Sequence, residues 1–282
     1  MAKDAPSLES FTEENRQYVA ALRSDDPGVR QHALEEVAPI VDDALARELL
    51  RFARDPARSD EERGRALIVL GPALEECHDE EAPDGTLEAA PPGGEGWWEL
   101  PLSSAGYREV TEELRRIYLD GAVPKLVRRR ALEAAVRAPR EWQREAAATA
   151  WRSGDPEWRV TAVFAMGHLP GFEGEIDEAF RGEDPVVRQE AMLAAGRSSA
   201  GEALGGSILD VAADRKAPRD ERLTAIEALG ELQPDGAFEL LDELRDDPDP
   251  EIAAAAEEAL DELSWADLDD LDGDPDALDD DW

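Results

Sequence analysis

Three histidines, one cysteine and 68 acidic residues are the groups in this 282-residue chain that could act as nucleophiles, proton carriers or metal ligands. A metal site needs such residues at spacings that bring their donor atoms together. His32, His78 and His168 stand far apart, and none falls in a ligand spacing. Cys77 adjoins His78, a weak basis for an activated thiolate. The aspartate-rich C-terminal stretch does not form a calcium loop. With Gly273 as the turn glycine, the first ligand position falls on Leu268, which has no side-chain oxygen to give. The sequence therefore offers no catalytic residue, no metal site and no cofactor.

Arginine carries the pattern instead. Arg30, Arg63, Arg128, Arg159, Arg188 and Arg222 are each followed three places later by alanine, and a seventh copy has Ala253 where the arginine would stand. Successive positions lie 33, 65, 31, 29, 34 and 31 residues apart. All but one match the length of a two-helix repeat, and 65 is one period plus a similar length of inserted chain. Acidic residues precede five of these arginines at a turn: Asp26, Asp60, Asp155, Asp184 and Asp220. A guanidinium can therefore reach the turn acid or carbonyls of the next repeat, making charge-assisted hydrogen bonds along a stack. On that reading Arg30, Arg63, Arg159, Arg188 and Arg222 are structural. Ala253 marks a last repeat with no successor, where an unpaired half-buried arginine would be costly.

The elements that hold this ladder are legible in Asp184–Gly196. Asp184 suits an N-cap, Pro185 the first helical position and Gly196 a helix exit. Val187, Ala191, Ala194 and Ala195 recur at helical spacing, and their small size lets a neighbouring helix approach closely. The segments Asp155-Pro156…Arg159…Ala162…Ala165-Met166-Gly167, Asp184-Pro185…Arg188…Ala191…Ala194-Ala195-Gly196 and Arg222…Ala225…Ala228-Leu229-Gly230 resemble the HEAT repeat family, in its short, phycobilisome-lyase-like form. The resemblance covers the chain to about Leu263. It implies an all-α fold, an α-solenoid of about seven antiparallel helix pairs, that holds partners rather than performing a particular reaction. HEAT-like metal hydroxylases use His-Glu pairs, and this chain has none. The lyase branch implies an alternative in which the propionates of a tetrapyrrole meet Arg128 or Arg159.

Residues 1–263 are thus expected to form the solenoid. Its first outer helix is read over about 8–23 and the second over about 43–54, with an inner helix between them that begins at Asp26-Pro27. Gly71-Pro72 is read as a helix stop, and an insertion follows at about 73–103. The insertion contains Ala89-Ala90-Pro91-Pro92-Gly93-Gly94, which no regular element tolerates, and then Trp97-Trp98. A loop of this length is usually functional or disordered. The two tryptophans either cover an apolar edge between repeats or form a recognition loop for a partner.

Electrostatics supply the remaining expectations. Asp and Glu outnumber Lys and Arg by 68 to 30, for a formal charge of −38, which disfavours nucleic acid as a general partner. Against this background, the stretch Arg115–Arg144 holds nine basic and three acidic residues. Its Arg128, Arg129 and Arg130 either pair with neighbouring acids or receive an acidic ligand: a phosphopeptide, a tetrapyrrole or a nucleic-acid segment. Residues 264–282 read as an acidic, disordered tail with interspersed Trp265, Leu268, Leu271, Leu278 and Trp282. The lone cysteine and the lack of a signal or membrane segment fit a cytoplasmic protein. The expected role is a non-catalytic scaffold or adaptor that binds a protein partner on its inner helices, with no membrane contact. Neither the partner nor the oligomeric state is readable.

Overall fold

The computed structural model describes residues 6–35, 40–79 and 101–269. Trp97 and Trp98, most of the insertion and residues 270–282 lie outside the described residues. Within them the chain is all helical. A 3-10 turn at Leu8–Ser10 precedes α1 (Glu13–Leu22) and α2 (Pro27–Glu35). Then come α3 (Asp43–Arg54), α4 (Asp60–Ile68), α5 (Gly71–Asp79), α6 (Ser104–Leu119), α7 (Lys125–Ala135) and α8 (Glu141–Arg152). They are followed by α9 (Pro156–Gly167), α10 (Glu173–Phe180), α11 (Pro185–Gly196), α12 (Ala200–Ala213), α13 (Arg219–Leu232), α14 (Ala237–Leu244) and α15 (Pro250–Asp269).

Polar caps start most of these helices. Asp155 accepts hydrogen bonds from the Glu157 and Trp158 amides, and Asp184 from those of Val186 and Val187, each just ahead of a proline. Ser59 and Glu62 form a capping box at α4. Thr12 caps α1 at Asn15, so the first helix begins at Glu13 and the preceding residues make a separate turn. α4 ends at Ile68, just before Gly71-Pro72, as the helix stop requires, but the same pair also starts a new helix. The pair opens α5, because a proline in the first helical turn has no amide bond to lose.

The chain divides into two compact units, one up to Ala146 and one from Ala147. In the first, α1 pairs with α2, α3 with α4 and α6 with α7. Outer helices α1, α3 and α6 pack in sequence, as do inner helices α2, α4 and α7. α4 packs directly on α7 although the insertion separates them in sequence, so the insertion leaves the stack unbroken. Its return is anchored by Asp43, which accepts from the Ser103 amide at 3.0 Å and the Ser103 hydroxyl at 2.6 Å. Leu22, Leu45, Leu49, Leu67, Leu114 and Ile117 fill this unit's core.

In the second unit, α10 pairs with α11, α12 with α13 and α14 with α15, and the inner helices pack α9 on α11, α11 on α13 and α13 on α15. Each inner helix touches its sequence neighbours in the stack, which defines an α-solenoid. Alanines form much of the contact layer: Ala162, Ala165, Ala191, Ala194, Ala225 and Ala228 are fully buried. The approach is closest at Gly167, where an added Cβ would lie 2.9 Å from the Ala194 Cα.

Candidate interaction surface

The ladder arginines sit in the crease between the two helices of their own repeat. Arg30 donates from Nη1 to the carbonyls of Ser24 (2.9 Å) and Asp25 (3.1 Å), and Arg188 to those of Gly182 (3.1 Å) and Glu183 (3.0 Å). Where the turn is longer, Nε reaches the outer helix end: Arg63 to Ala53 (2.8 Å), Arg128 to Tyr118 (2.8 Å) and Arg222 to Ala212 (3.1 Å). The carbonyls thus belong to the arginine's own repeat. Three arginines also reach an acid of the following repeat: Arg30 to Glu62, Arg188 to Glu221 and Arg222 to Asp247. Arg63 takes Asp60 on its own helix. The guanidinium of Arg159 lies 4.1 Å from the centre of the Trp151 ring.

These pairs set the local acidity. The Asp247 carboxyl is held below the usual carboxylate range by the Asp249 amide and by Arg222. Burial pushes the Glu62 carboxyl up, but hydrogen bonds from Arg30 and Ser59 outweigh it and leave the group below its ordinary value. Glu48, almost fully buried, behaves likewise: hydrogen bonds from Arg23 and Arg51 overcome the cost of burial.

In the basic stretch, protein groups engage most of the charge. Arg128 caps the Tyr118 carbonyl and lies 5.8 Å from that ring's centre. Arg129 is 9% exposed. Arg130 donates to Glu133 at 2.5 Å, Arg137 to Glu75 at 2.8 Å, and Arg116 to Glu112 and Glu113. Arg140 donates to the Tyr107 hydroxyl at 3.1 Å, and that hydroxyl lies 3.3 Å from His78 Nδ1. Cys77 is fully buried, and burial pushes its thiol up, which keeps it protonated. Among the described residues no group of His, Cys, Asp or Glu has the arrangement to hold a metal ion, and no helix is long and apolar enough to cross a membrane.

The sequence reading passed over a second charged face, on the inner helices of the second unit. Glu227 and Glu231 on α13 and Glu258 and Glu262 on α15 are all exposed, four residues apart within each helix. Stacking α13 on α15 brings the two pairs together. A Cβ on Gly196 would fall 2.6 Å from the Glu231 carboxylate, and one on Gly230 would collide with that of Glu262. These glycines thus let each glutamate lie across the preceding inner helix. Partial desolvation raises the Glu227 and Glu262 carboxyls above their ordinary value, and repulsion from the neighbouring glutamates raises them further. Arg197 works against the shift at Glu227, but it is already bound to Glu190 at 3.3 Å and lies 5.3 Å from the centre of the Phe164 ring. A signal was present in the sequence. The position nine residues after each of the last three ladder sites, Arg188, Arg222 and Ala253, is Arg197, then Glu231, then Glu262, so the column changes sign there.

No family model matches the chain, and no curated protein matches it. Among solved structures it is similar to human deoxyhypusine hydroxylase in complex with glycerol, at 16% identity, 92% coverage of this chain, 88% of that one and a TM-score of 0.37. It is also similar to a designed armadillo repeat protein, at 16% identity, 88% and 98% coverage and a TM-score of 0.26. At such scores neither likeness adds to the helical repeat fold already evident from the packing.

Proposed function

We propose that this chain is a HEAT-like, non-catalytic scaffold that binds a basic protein partner on the inner helices of its second unit. The observation that carries this reading is the group Glu227, Glu231, Glu258 and Glu262. At the ladder positions the fold sets carboxylates against arginines, as in Arg30–Glu62, Arg188–Glu221 and Arg222–Asp247. Here it gathers four on one face and holds the carboxyls of two of them, Glu227 and Glu262, above their ordinary pKa. Like charges kept together at a cost to the folded chain are relieved when an oppositely charged surface covers them. A row of carboxylates on two stacked helices suits a lysine- or arginine-rich segment.

The acidic-ligand reading of Arg128, Arg129 and Arg130 has less support, because carbonyls, Glu133 and burial already engage these side chains. A role for Trp97 and Trp98 as a recognition loop stands as a separate proposal, tested by removing residues 73–103.

The test is affinity capture from the native host's lysate, followed by hydrogen–deuterium exchange on the purified complex. Protection concentrated on α13 and α15 around the four glutamates is expected. Protection confined to the basic stretch of α6–α8 would overturn the assignment.

A further inference from the structure

The seventh repeat lacks the ladder arginine but keeps room for one. Asp-Pro turns open α2, α11 and α15 alike: Asp26-Pro27, Asp184-Pro185 and Asp249-Pro250. In the first two, the arginine donates to the carbonyls six and five residues before it, those of Ser24 and Asp25 or of Gly182 and Glu183. In the same register Ala253 stands in place of the arginine, and the carbonyls are those of Asp247 and Pro248. Here the side chain stops at one methyl group, and a cleft of about 560 Å³ opens at this place. Asp242, Arg245, Asp246, Ala253, Ala254 and Glu257 line it. The turn carrying the Asp247 and Pro248 carbonyls runs between two lining residues, Asp246 and Pro250.

The chemistry of the cleft matches the missing group. Its lining holds three carboxylates against one guanidinium, and Arg245 is itself paired with Asp242 at 3.2 Å. The outer helix α14 ends here, so the negative end of its dipole adds to the field. Arg30 and Arg188 each take a carboxylate from the following repeat, Glu62 and Glu221 respectively. Asp246 and Glu257, which line the cleft, can take that part.

We propose that this cleft receives an arginine side chain from a partner polypeptide, held as Arg30 and Arg188 are held within their own repeats. A guanidinium presents several donors in one plane, and so can serve two adjacent carbonyls and a carboxylate at once. A lysine ammonium is a compact point charge that lacks this fork. The site is separate from the carboxylate face formed by Glu227, Glu231, Glu258 and Glu262, and does not depend on it.

The test is an amide NMR titration of the full chain with N-acetyl-arginine amide, run in parallel with N-acetyl-lysine amide. Saturable shifts over residues 246–254 are expected, with the arginine probe about tenfold tighter than the lysine probe. Ala253→Arg fills the cleft from within, so it should abolish these shifts and raise the melting temperature. Ala253→Met, which blocks the space without a charge, should abolish the shifts as well and covers the case of an Ala253→Arg chain that does not fold. Equal response to both probes would reduce the cleft to a charged rim and overturn the proposal. So would the absence of a saturable shift, or shifts that persist in both variants.

Discussion

Glu231 lies across Gly196, one repeat earlier on the inner face, so closely that a Cβ at Gly196 would fall 2.6 Å from the Glu231 carboxylate. Glu262 lies across Gly230 in the same way. This register turns two pairs of glutamates, each unexceptional on its own helix, into one acidic surface.

The surface should register in the pH dependence of stability. Folding raises the Glu227 and Glu262 carboxyls above their ordinary value, so their ionised forms oppose folding at neutral pH. That opposition fades as pH falls through the raised values, because the folded chain takes up the protons first. Replacing Glu227, Glu231, Glu258 and Glu262 by glutamine should therefore stabilise the protein at neutral pH. Relief of two like-charged i,i+4 pairs alone is worth roughly 0.5–1 kcal/mol. Urea denaturation should show this gain shrinking to nothing below the ordinary carboxylate range. Asp247 has the opposite sign. Its carboxyl is held low, so the stability it contributes is present at neutral pH and is lost as pH falls through its depressed value.

Arg222→Ala should be the most damaging of the ladder substitutions. It removes the bond to the Ala212 carbonyl and leaves Asp247, whose side chain is 4% exposed, without its cation. Breaking a buried pair by removing one partner costs about 3–5 kcal/mol. Urea denaturation at neutral pH measures the loss. Arg222→Ala combined with Asp247→Asn should recover part of it, because no buried charge is then left alone.

Two glycines should respond oppositely to the same substitution. Gly206→Ala in α12 meets nothing within 4 Å, and should stabilise by about 1 kcal/mol through helix propensity. Gly167→Ala gains the same propensity but drives its methyl group to 2.9 Å from the Ala194 Cα. Backbone atoms cannot yield as a side-chain tip can, so the helices must part, at a cost of about 1–3 kcal/mol. Thermal melts of the two variants should shift in opposite directions.

The repeat was legible because its signals are local. Asp155-Pro156 and Asp184-Pro185 start α9 and α11 where the cap chemistry requires, and the alanine spacing marks the buried stripe. Gly71-Pro72 marked the end of α4 at Ile68, but the pair suits the first turn of a helix as well, and α5 begins on it. The spacing of the ladder arginines was readable, but their acceptors were not. Which carbonyls of its own repeat a guanidinium reaches depends on turn length, as the contrast between Arg188 and Arg63 shows. The acidic face was hidden because Glu227 and Glu258 read separately as solvated helix positions. Their proximity arises only when α13 packs on α15.

The binding surface is tested most directly by the affinity of the captured partner for the intact chain and for the chain carrying glutamine at positions 227, 231, 258 and 262, each measured at low and high salt. A partner that reads this face should bind the variant at least about tenfold more weakly at low salt, and the variant's salt dependence should flatten. Equal affinities for the two chains, with the same salt dependence, would contradict the assignment of this face as the binding surface.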